Sequence, residues 1–214
     1  RTPNLLLIYG QHEKKITHAN LTITAMGVYE AKLNGRRVGQ FVMAPGWTSY
    51  HKRLQYQKYD ITDLLTNGKN EIEVTVGKGW YRSPLPGWLG CAYQDELRSR
   101  PCGLAAQITL TFEDGSSKIL STDESWKVSD GPVRFSEIYD GEIYDSAKTP
   151  LLDQPVTIFD GPTDTLILQQ GEEVCEQERL AVKKVFVTPN GETVLDNGQR
   201  SQREIGRASC RERV

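Results

Sequence analysis

The sequence predicts an all-β chain folded as a sandwich or jelly roll. Three observations carry this expectation. Short runs alternate apolar and polar residues, Gly, Asn and Asp turns separate them at regular spacing, and no segment sustains helical periodicity. An α/β fold would instead alternate strands with long helical patterns.

After a lead-in segment (1–15) that reads as a strand, residues 19–24 (ANLTIT) alternate, and residues 27–33 alternate again up to Asn34-Gly35. Asn-Gly between two alternating runs marks a hairpin, because both residues tolerate positive φ. Residues 37–41 are expected to return as its partner strand. Further strands are read at 54–59, 71–77, 104–112 and 118–121, the last two joined by Glu113-Asp114-Gly115. Residues 60–65 (DITDLL) read as a single helical turn, with Asp60 or Thr62 as its cap and Asn67-Gly68 ending it.

Between residues 149 and 162 the pattern loosens into Pro-Leu-Leu-Asp-Gln-Pro and Asp-Gly-Pro, which reads as a connection between modules. A new hairpin follows: residues 182–188, a Pro189-Asn190-Gly191 turn, and residues 193–196. The expected organisation is a sandwich domain over 16–150 and a linker with the start of a second β-domain over 151–203. Such a half-sheet leaves unpaired edges, so the second domain is expected to be truncated. Residues 204–214 (EIGRASCRERV) follow no strand or helix logic and resemble the conceptual translation of a sequencing adapter, expected to be foreign to the protein.

Composition narrows function. The formal charge of −2 comes from interspersed charges of both signs, which is not the clustered basic face of a nucleic-acid binder. No apolar run approaches the roughly 20 residues of a membrane span. The chain opens on Arg1 and its localisation stays open. Four cysteines are present, Cys91, Cys102, Cys175 and Cys210, without zinc-like spacing. Cys91 and Cys102 flank a loop and either pair in an oxidising compartment or remain thiols in a reducing one. P-loop, Rossmann, nucleophile-elbow and EF-hand patterns are missing, and the Gly77-Lys78-Gly79 run is a turn before Trp80 rather than a phosphate loop.

Aromatic residues gather in predicted loops: Ala44-Pro45-Gly46-Trp47-Thr48-Ser49-Tyr50 with Lys52 and Arg53, then Gly79-Trp80-Tyr81-Arg82, then Pro86-Gly87-Trp88. A sugar site needs flat apolar surfaces for the C–H face of the ring and forked donors for its hydroxyls. Trp47, Tyr50, Arg53, Trp80, Tyr81 and Arg82 are therefore the candidate sugar contacts. Each ring has an ordinary reading too, as packing between sheet and loop. Asp140-Gly141-Glu142-Ile143-Tyr144-Asp145 is the one concentrated carboxylate motif. A glycosidase needs two opposed carboxyls, about 5 Å apart if retaining and roughly 6.5–9.5 Å if inverting. Nothing nearby positions a leaving group, so Glu142 and Asp145 are better read as a turn or a contact to a neighbouring domain.

Taken in order, these motifs resemble the start of bacterial α-L-rhamnosidases. The resemblance rests on Gly27-Val28-Tyr29-Glu30, Asn34-Gly35-Arg36-Arg37-Val38-Gly39, the Ala44 to Tyr50 string, and Gln55-Tyr56-Gln57 with Tyr59-Asp60-Ile61-Thr62-Asp63-Leu64-Leu65. Gly79-Trp80-Tyr81-Arg82, Thr122-Asp123-Glu124-Ser125-Trp126-Lys127 and Gly141-Glu142-Ile143-Tyr144-Asp145 complete it over roughly residues 16 to 150. Gly191-Glu192-Thr193-Val194-Leu195-Asp196-Asn197-Gly198-Gln199 resembles the opening of the next sandwich, with Asn197 in place of an aromatic and Arg200 in place of an asparagine.

The resemblance implies inverting hydrolysis of terminal α-L-rhamnose from glycosides. It also implies a galactose-binding-like jelly roll here, with the acid and base in a helical barrel further along, so no catalytic residue maps onto this chain. Its partners would be rhamnose-containing glycosides and that C-terminal barrel of the same protein. Some family members bind rhamnose through calcium, but those ligands have no residue-by-residue counterpart here, and the Trp47 to Tyr50 loop has no carboxylate. The competing expectation is a stand-alone lectin-like or purely structural module with no attached glycosidase.

Overall fold

Period-two patterning in the sequence becomes period-two burial in the computed structural model, which describes residues 3–9, 14–83, 99–148 and 154–198. In β6 (Asn70–Gly77), Asn70, Ile72, Val74 and Val76 are buried and the residues between them are not. β3 (Val28–Leu33) buries Tyr29, Ala31 and Leu33, and β7 (Gly103–Phe112) buries Ala106, Ile108, Leu110 and Phe112. Successive side chains leave a strand on opposite faces, so each strand offers one apolar row.

Two sheets share the interior those rows build. The first has six strands in the order β12 (Gln154–Pro155), β9 (Lys127–Asp130), β1 (Pro3–Tyr9), β6, β3 and β4 (Arg36–Arg37). The second has five, β13 (Leu166–Leu168), β5 (Leu54–Asp60), β2 (Ile16–Met26), β7 and β8 (Ser117–Ser121). Sequence-distant strands lie side by side in both, and rows from both sheets merge into one apolar cluster. The chain is an all-β sandwich. Leu21, Leu33, Ile61, Ile72, Val74 and Leu110 have no exposed surface, and full burial of such a side chain stabilises by about 1.5–3 kcal/mol. Trp126 plugs the same cluster. Asp123 accepts the Ser125 amide at 2.9 Å in the turn that delivers it, and its indole donates to the Ser121 carbonyl at 3.3 Å.

The local signals take defined forms. Asn34 and Gly35 have φ of 52° and 76°, the double left-handed geometry of a hairpin turn. Asn34 is locked there by donating to Asn70 Oδ1 at 2.8 Å and accepting from the Glu71 amide at 2.9 Å. The expected helical turn is a short 3-10 turn over Thr62–Leu64. Asp60 accepts from the Thr62 amide at 2.9 Å, and the Thr62 hydroxyl accepts from the Ala19 amide at 2.9 Å, so both candidate cap residues are used in different ways.

Two expectations need revision, and a third gains its place in the sheet. The return strand of the first hairpin is only Arg36–Arg37, because Gly39 takes φ of 68° and the Tyr59 ring fills the space a side chain there would need. The lead-in segment does contain a strand, β1, which lies inside the six-stranded sheet between β6 and β9. Residues 154–175, read as part of a linker, are hydrogen-bonded into the sandwich. β12 pairs with β9, β13 pairs in parallel with β5, and the Val42 amide donates to the Val174 carbonyl at 2.7 Å. Edge strands of two or three residues are too short to show alternation. A one-turn helix α1 (Gly79–Arg82) and the hairpin of β10 (Val133–Glu137) and β11 (Gly141–Tyr144) were likewise not read as elements.

The chain divides into two compact units, Arg1–Cys175 and Glu176–Val214. In the second, β14 (Lys184–Val187) pairs with β15 (Thr193–Asp196) around the expected Pro189-Asn190-Gly191 turn. The proposed tail at 204–214, with Cys210, lies outside the described residues.

The core analysis yields a stability prediction. Ile72→Ala, at a site with no exposed surface, is expected to lower unfolding free energy by about 2–5 kcal/mol, read from urea midpoints at unchanged slope. An equal substitution at exposed Ile119 should stay within about 0.5 kcal/mol.

Candidate functional site

The aromatic motifs, separated by some thirty residues, meet at one end of the sandwich. The loop after β4 carries Trp47 and Tyr50, and α1 carries Trp80 and Tyr81. The Trp47 and Trp80 rings are stacked, with centroids 6.1 Å apart and planes 6° from parallel. Tyr50 meets Tyr81 edge to face at 5.3 Å. Both are favoured geometries of the ring quadrupole. Trp47 remains 57% exposed, so one of its faces is open to solvent.

Backbone hydrogen bonds shape the loop that presents these rings. The Tyr29 amide donates to the Ala44 carbonyl at 2.7 Å, pinning the loop to β3. Gly46 donates back to Met43 at 3.0 Å, and the Lys52 and Arg53 amides both reach the Ser49 carbonyl, at 2.8 and 2.9 Å. Thr48 donates its hydroxyl to the Arg53 carbonyl, and Tyr50 donates to the Gly46 carbonyl at 3.3 Å. Beneath the loop sits a buried polar group. Gln57 accepts from the Tyr29 hydroxyl at 2.7 Å and donates to Gln169 at 2.7 Å, with the Pro45 carbonyl at 3.5 Å.

Several partners of the rings were not legible in the sequence. The Arg100 guanidinium lies over the Tyr81 ring at 5.6 Å and its Nη2 is 3.3 Å from His51 Nε2. The Tyr81 hydroxyl points at the Met26 sulfur, 3.5 Å away. Arg100 stands directly before Pro101 and β7, and no spacing signal ties it to His51, which reads as an isolated histidine. Of the candidate residues, Trp47, Tyr50, Trp80 and Tyr81 are brought together. Arg82 follows them on α1 and hydrogen-bonds the Cys102 thiol. Arg53 ends the loop on the exposed surface. Trp88 and Cys91 lie outside the described residues, and Cys102 is a free thiol.

Burial pushes the Tyr29 hydroxyl far above the usual tyrosine range, and the neighbouring Tyr59 hydroxyl adds to the effect. Tyr59 and Tyr81 are raised by burial as well, Tyr81 with partial compensation from Arg100. The Cys102 thiol is raised by burial and partly restored by Arg82. Glu142 and Asp145 are exposed, on and just after β11, in a hairpin whose Phe135 ring lies 4.7 Å from the Lys78 ammonium. Asp145 there accepts from the Ala147 amide at 3.1 Å in a turn, and its own amide donates to Pro132.

A cleft of about 240 Å³ lies beside the ring cluster, lined by Met26, Leu54, Leu104 and Phe159 among others. A neighbouring cleft of about 480 Å³ shares Leu104 and Phe159 with it and reaches Cys102 and Trp126, within the roughly 300–1,000 Å³ of small-molecule sites. Among the described residues no three His, Cys, Asp or Glu side chains converge on a point. Calcium draws on several oxygens, usually carboxylates among them, and the Trp47 to Tyr50 loop supplies no carboxylate, so that loop does not fit it.

A two-sheet sandwich that gathers stacked aromatic rings on its loops is the class of β-module that the fold and the site define. The chain belongs to the family of the α-L-rhamnosidase N-terminal domain, whose family model matches residues 14–178. It is similar to the α-L-rhamnosidase of Streptomyces avermitilis, at 35% identity over 197 residues, 87% of this chain and 19% of that protein. The solved native α-L-rhamnosidase of Aspergillus terreus superposes with a TM-score of 0.82 at 37% identity, over 93% of this chain and 24% of that one. The Streptomyces avermitilis enzyme complexed with L-rhamnose superposes with a TM-score of 0.81 at 32% identity, over 92% and 20%. The chain spans only 14% to 21% of the curated relatives it matches.

The raised tyrosines set a pH dependence. Each folded pKa lies above the unfolded value of about 10, so their contribution is complete below that pH and is lost as pH rises through the folded values. Unfolding free energy should therefore be insensitive to these groups through neutral pH and fall at strongly alkaline pH. Absorbance at the tyrosinate band should show Tyr29, Tyr59 and Tyr81 titrating late. Tyr29→Phe should destabilise by about 1–3 kcal/mol, because the buried Gln57 oxygen loses its donor.

Proposed function

We propose that this chain is the non-catalytic, carbohydrate-associated N-terminal module of an α-L-rhamnosidase that releases terminal α-L-rhamnose with inversion. Its sandwich comprises β1, residues 16–150 and the strands that follow, and the acid and base carboxylates belong to a part of the enzyme outside these 214 residues. The family match and the much greater length of the relatives support this division. The observation that carries the sugar-binding role is the meeting of Trp47, Tyr50, Trp80 and Tyr81 from two separate loops on one open face. Indole faces suit the C–H side of a pyranose, and Arg53 and Arg82 at its margin are donors for hydroxyls. Glu142 and Asp145, on a hairpin whose Ile143 and Tyr144 are 61% and 60% exposed, mark a surface for a neighbouring domain.

A second reading has its own support. Trp47 already stacks on Trp80, and a ring pair that satisfies itself is also what a purely structural scaffold needs.

Calorimetric titration of the chain with L-rhamnose and nitrophenyl α-L-rhamnoside separates the two. The binding reading expects a measurable affinity that Trp47→Ala weakens about tenfold, or about 1.4 kcal/mol, with little change in melting temperature. The scaffold reading expects no heat of binding and a lowered melting temperature for Trp80→Ala. The chain alone is expected to release no nitrophenol, and turnover would sink the non-catalytic assignment.

A further inference from the structure

Asn-Gly dipeptides stand at 34–35, 67–68, 190–191 and 197–198. Such a pair is prone to losing the asparagine amide, because glycine puts no side chain in the way when its backbone nitrogen approaches the asparagine side chain. Reaction also needs that nitrogen and that amide to be free, and the fold sets the four sites apart. The Asn34 amide donates to the Leu64 carbonyl at 3.0 Å and to Asn70 Oδ1 at 2.8 Å, and it accepts from the Glu71 amide at 2.9 Å. After Asn190 the nucleophile is held, since the Gly191 amide donates to the Thr188 carbonyl at 2.9 Å. After Asn197 the Gly198 amide donates to Asp196 Oδ1 at 2.7 Å. At 67–68 alone, among the described residues, the asparagine side chain and the following amide both lack a hydrogen bond. Asn67 is exposed, and both residues line a cleft of about 420 Å³ with Lys14, Lys15 and Thr66.

We infer that Asn67 is a site of spontaneous deamidation, and that its isoaspartyl product loosens the polar lock beneath the first hairpin. The Gly68 nitrogen attacks the Asn67 side-chain carbonyl carbon and a C–N bond forms. The side-chain nitrogen leaves as ammonia, carrying the Gly68 amide proton. Water then opens the cyclic imide at one carbonyl to give aspartate, or at the other to give isoaspartate, whose backbone is longer by a methylene. The surroundings make the second product consequential. Asn70, 2% exposed, accepts from the Thr66 amide at 2.8 Å and donates to the Thr66 and Gly68 carbonyls at 3.0 and 3.1 Å. Its Oδ1 also takes the Asn34 amide that fixes the hairpin. A methylene added at residue 67 falls inside this ring of bonds. It pulls the Gly68 carbonyl from Asn70 and leaves a buried amide short of a partner. Aspartate keeps the backbone length, and its carboxylate stands in the cleft with Lys14 and Lys15.

The test is to age the folded 214-residue chain at mildly alkaline pH and follow each Asn-Gly site by peptide mass mapping and isoaspartate-specific methylation. Asn67 is expected to convert at least about tenfold faster than Asn34, Asn190 or Asn197, because those sites react only through local opening. In urea the four sites should convert at similar rates, since the fold no longer separates them. The aged chain should melt lower than the fresh one. Aged Asn67→Gln and fresh Asn67→Asp should both keep the melting temperature of the fresh chain, which sets the backbone extension apart from the added charge. Conversion of another site as fast as Asn67, or the same ranking in urea, overturns the assignment. Conversion at Asn67 with no loss of melting temperature overturns the coupling to Asn70.

Discussion

The side-chain amide of Gln57 is the contact on which the candidate site depends. It is 2% exposed, so its oxygen and nitrogen must be satisfied within the protein or the fold is penalised. Its three neighbours belong to three different parts of the structure. Tyr29 lies in the six-stranded sheet, Gln169 follows the strand that caps the five-stranded sheet, and Pro45 lies in the loop that presents Trp47. One polar group therefore ties both sheets, a late-returning segment and the ring loop together. The Tyr29 amide contact to Ala44 fastens the same loop a second time. The backbone that exposes Trp47 is thus tied down from beneath at Ala44 and Pro45.

The rest of the sandwich follows ordinary rules of apolar burial. Alternating rows from β2, β3, β6 and β7 merge, and Trp126 fills the cluster from its own turn. Where the chain leaves the sheet, it does so at residues chosen for backbone geometry or local hydrogen bonding, such as Gly39 and Asp60. Aromatic residues divide into two roles on that frame. Trp126 is interior filling, whereas Trp47 and Trp80 stack on each other at the surface.

Much of this was legible in the residues. Strands 19–24, 27–33, 54–59, 71–77 and 104–112 were readable because they are long enough for alternation to show, and Asn34-Gly35 announced its own turn. The family was readable from motif order, and several of those motifs have identifiable physical work, as with Trp126 and the Thr62 turn. The short strands β9 and β12 were not readable, whereas the equally short β8, β14 and β15 were, because Asp-Gly and Asn-Gly turns frame them. The assignment of β9 and β12 comes from pairing across the sheet rather than from any pattern of their own. The ring residues were picked out by type, but their partners depended on the fold. Arg100 and His51 are 49 positions apart and come together only when β7 is in place.

The pairing of β13 with β5 has a practical corollary. A strand edge is a row of unused amides and carbonyls, and an uncovered edge recruits other chains. Residues 166–168 close that edge on the five-stranded sheet, and residues 154–155 lie along β9 on the other. A cloning boundary placed in the Pro-rich stretch near residue 150, where sequence composition invites one, would strip both covers at once. The natural cassette for recombinant work on this module runs to about residue 175, where the first compact unit ends.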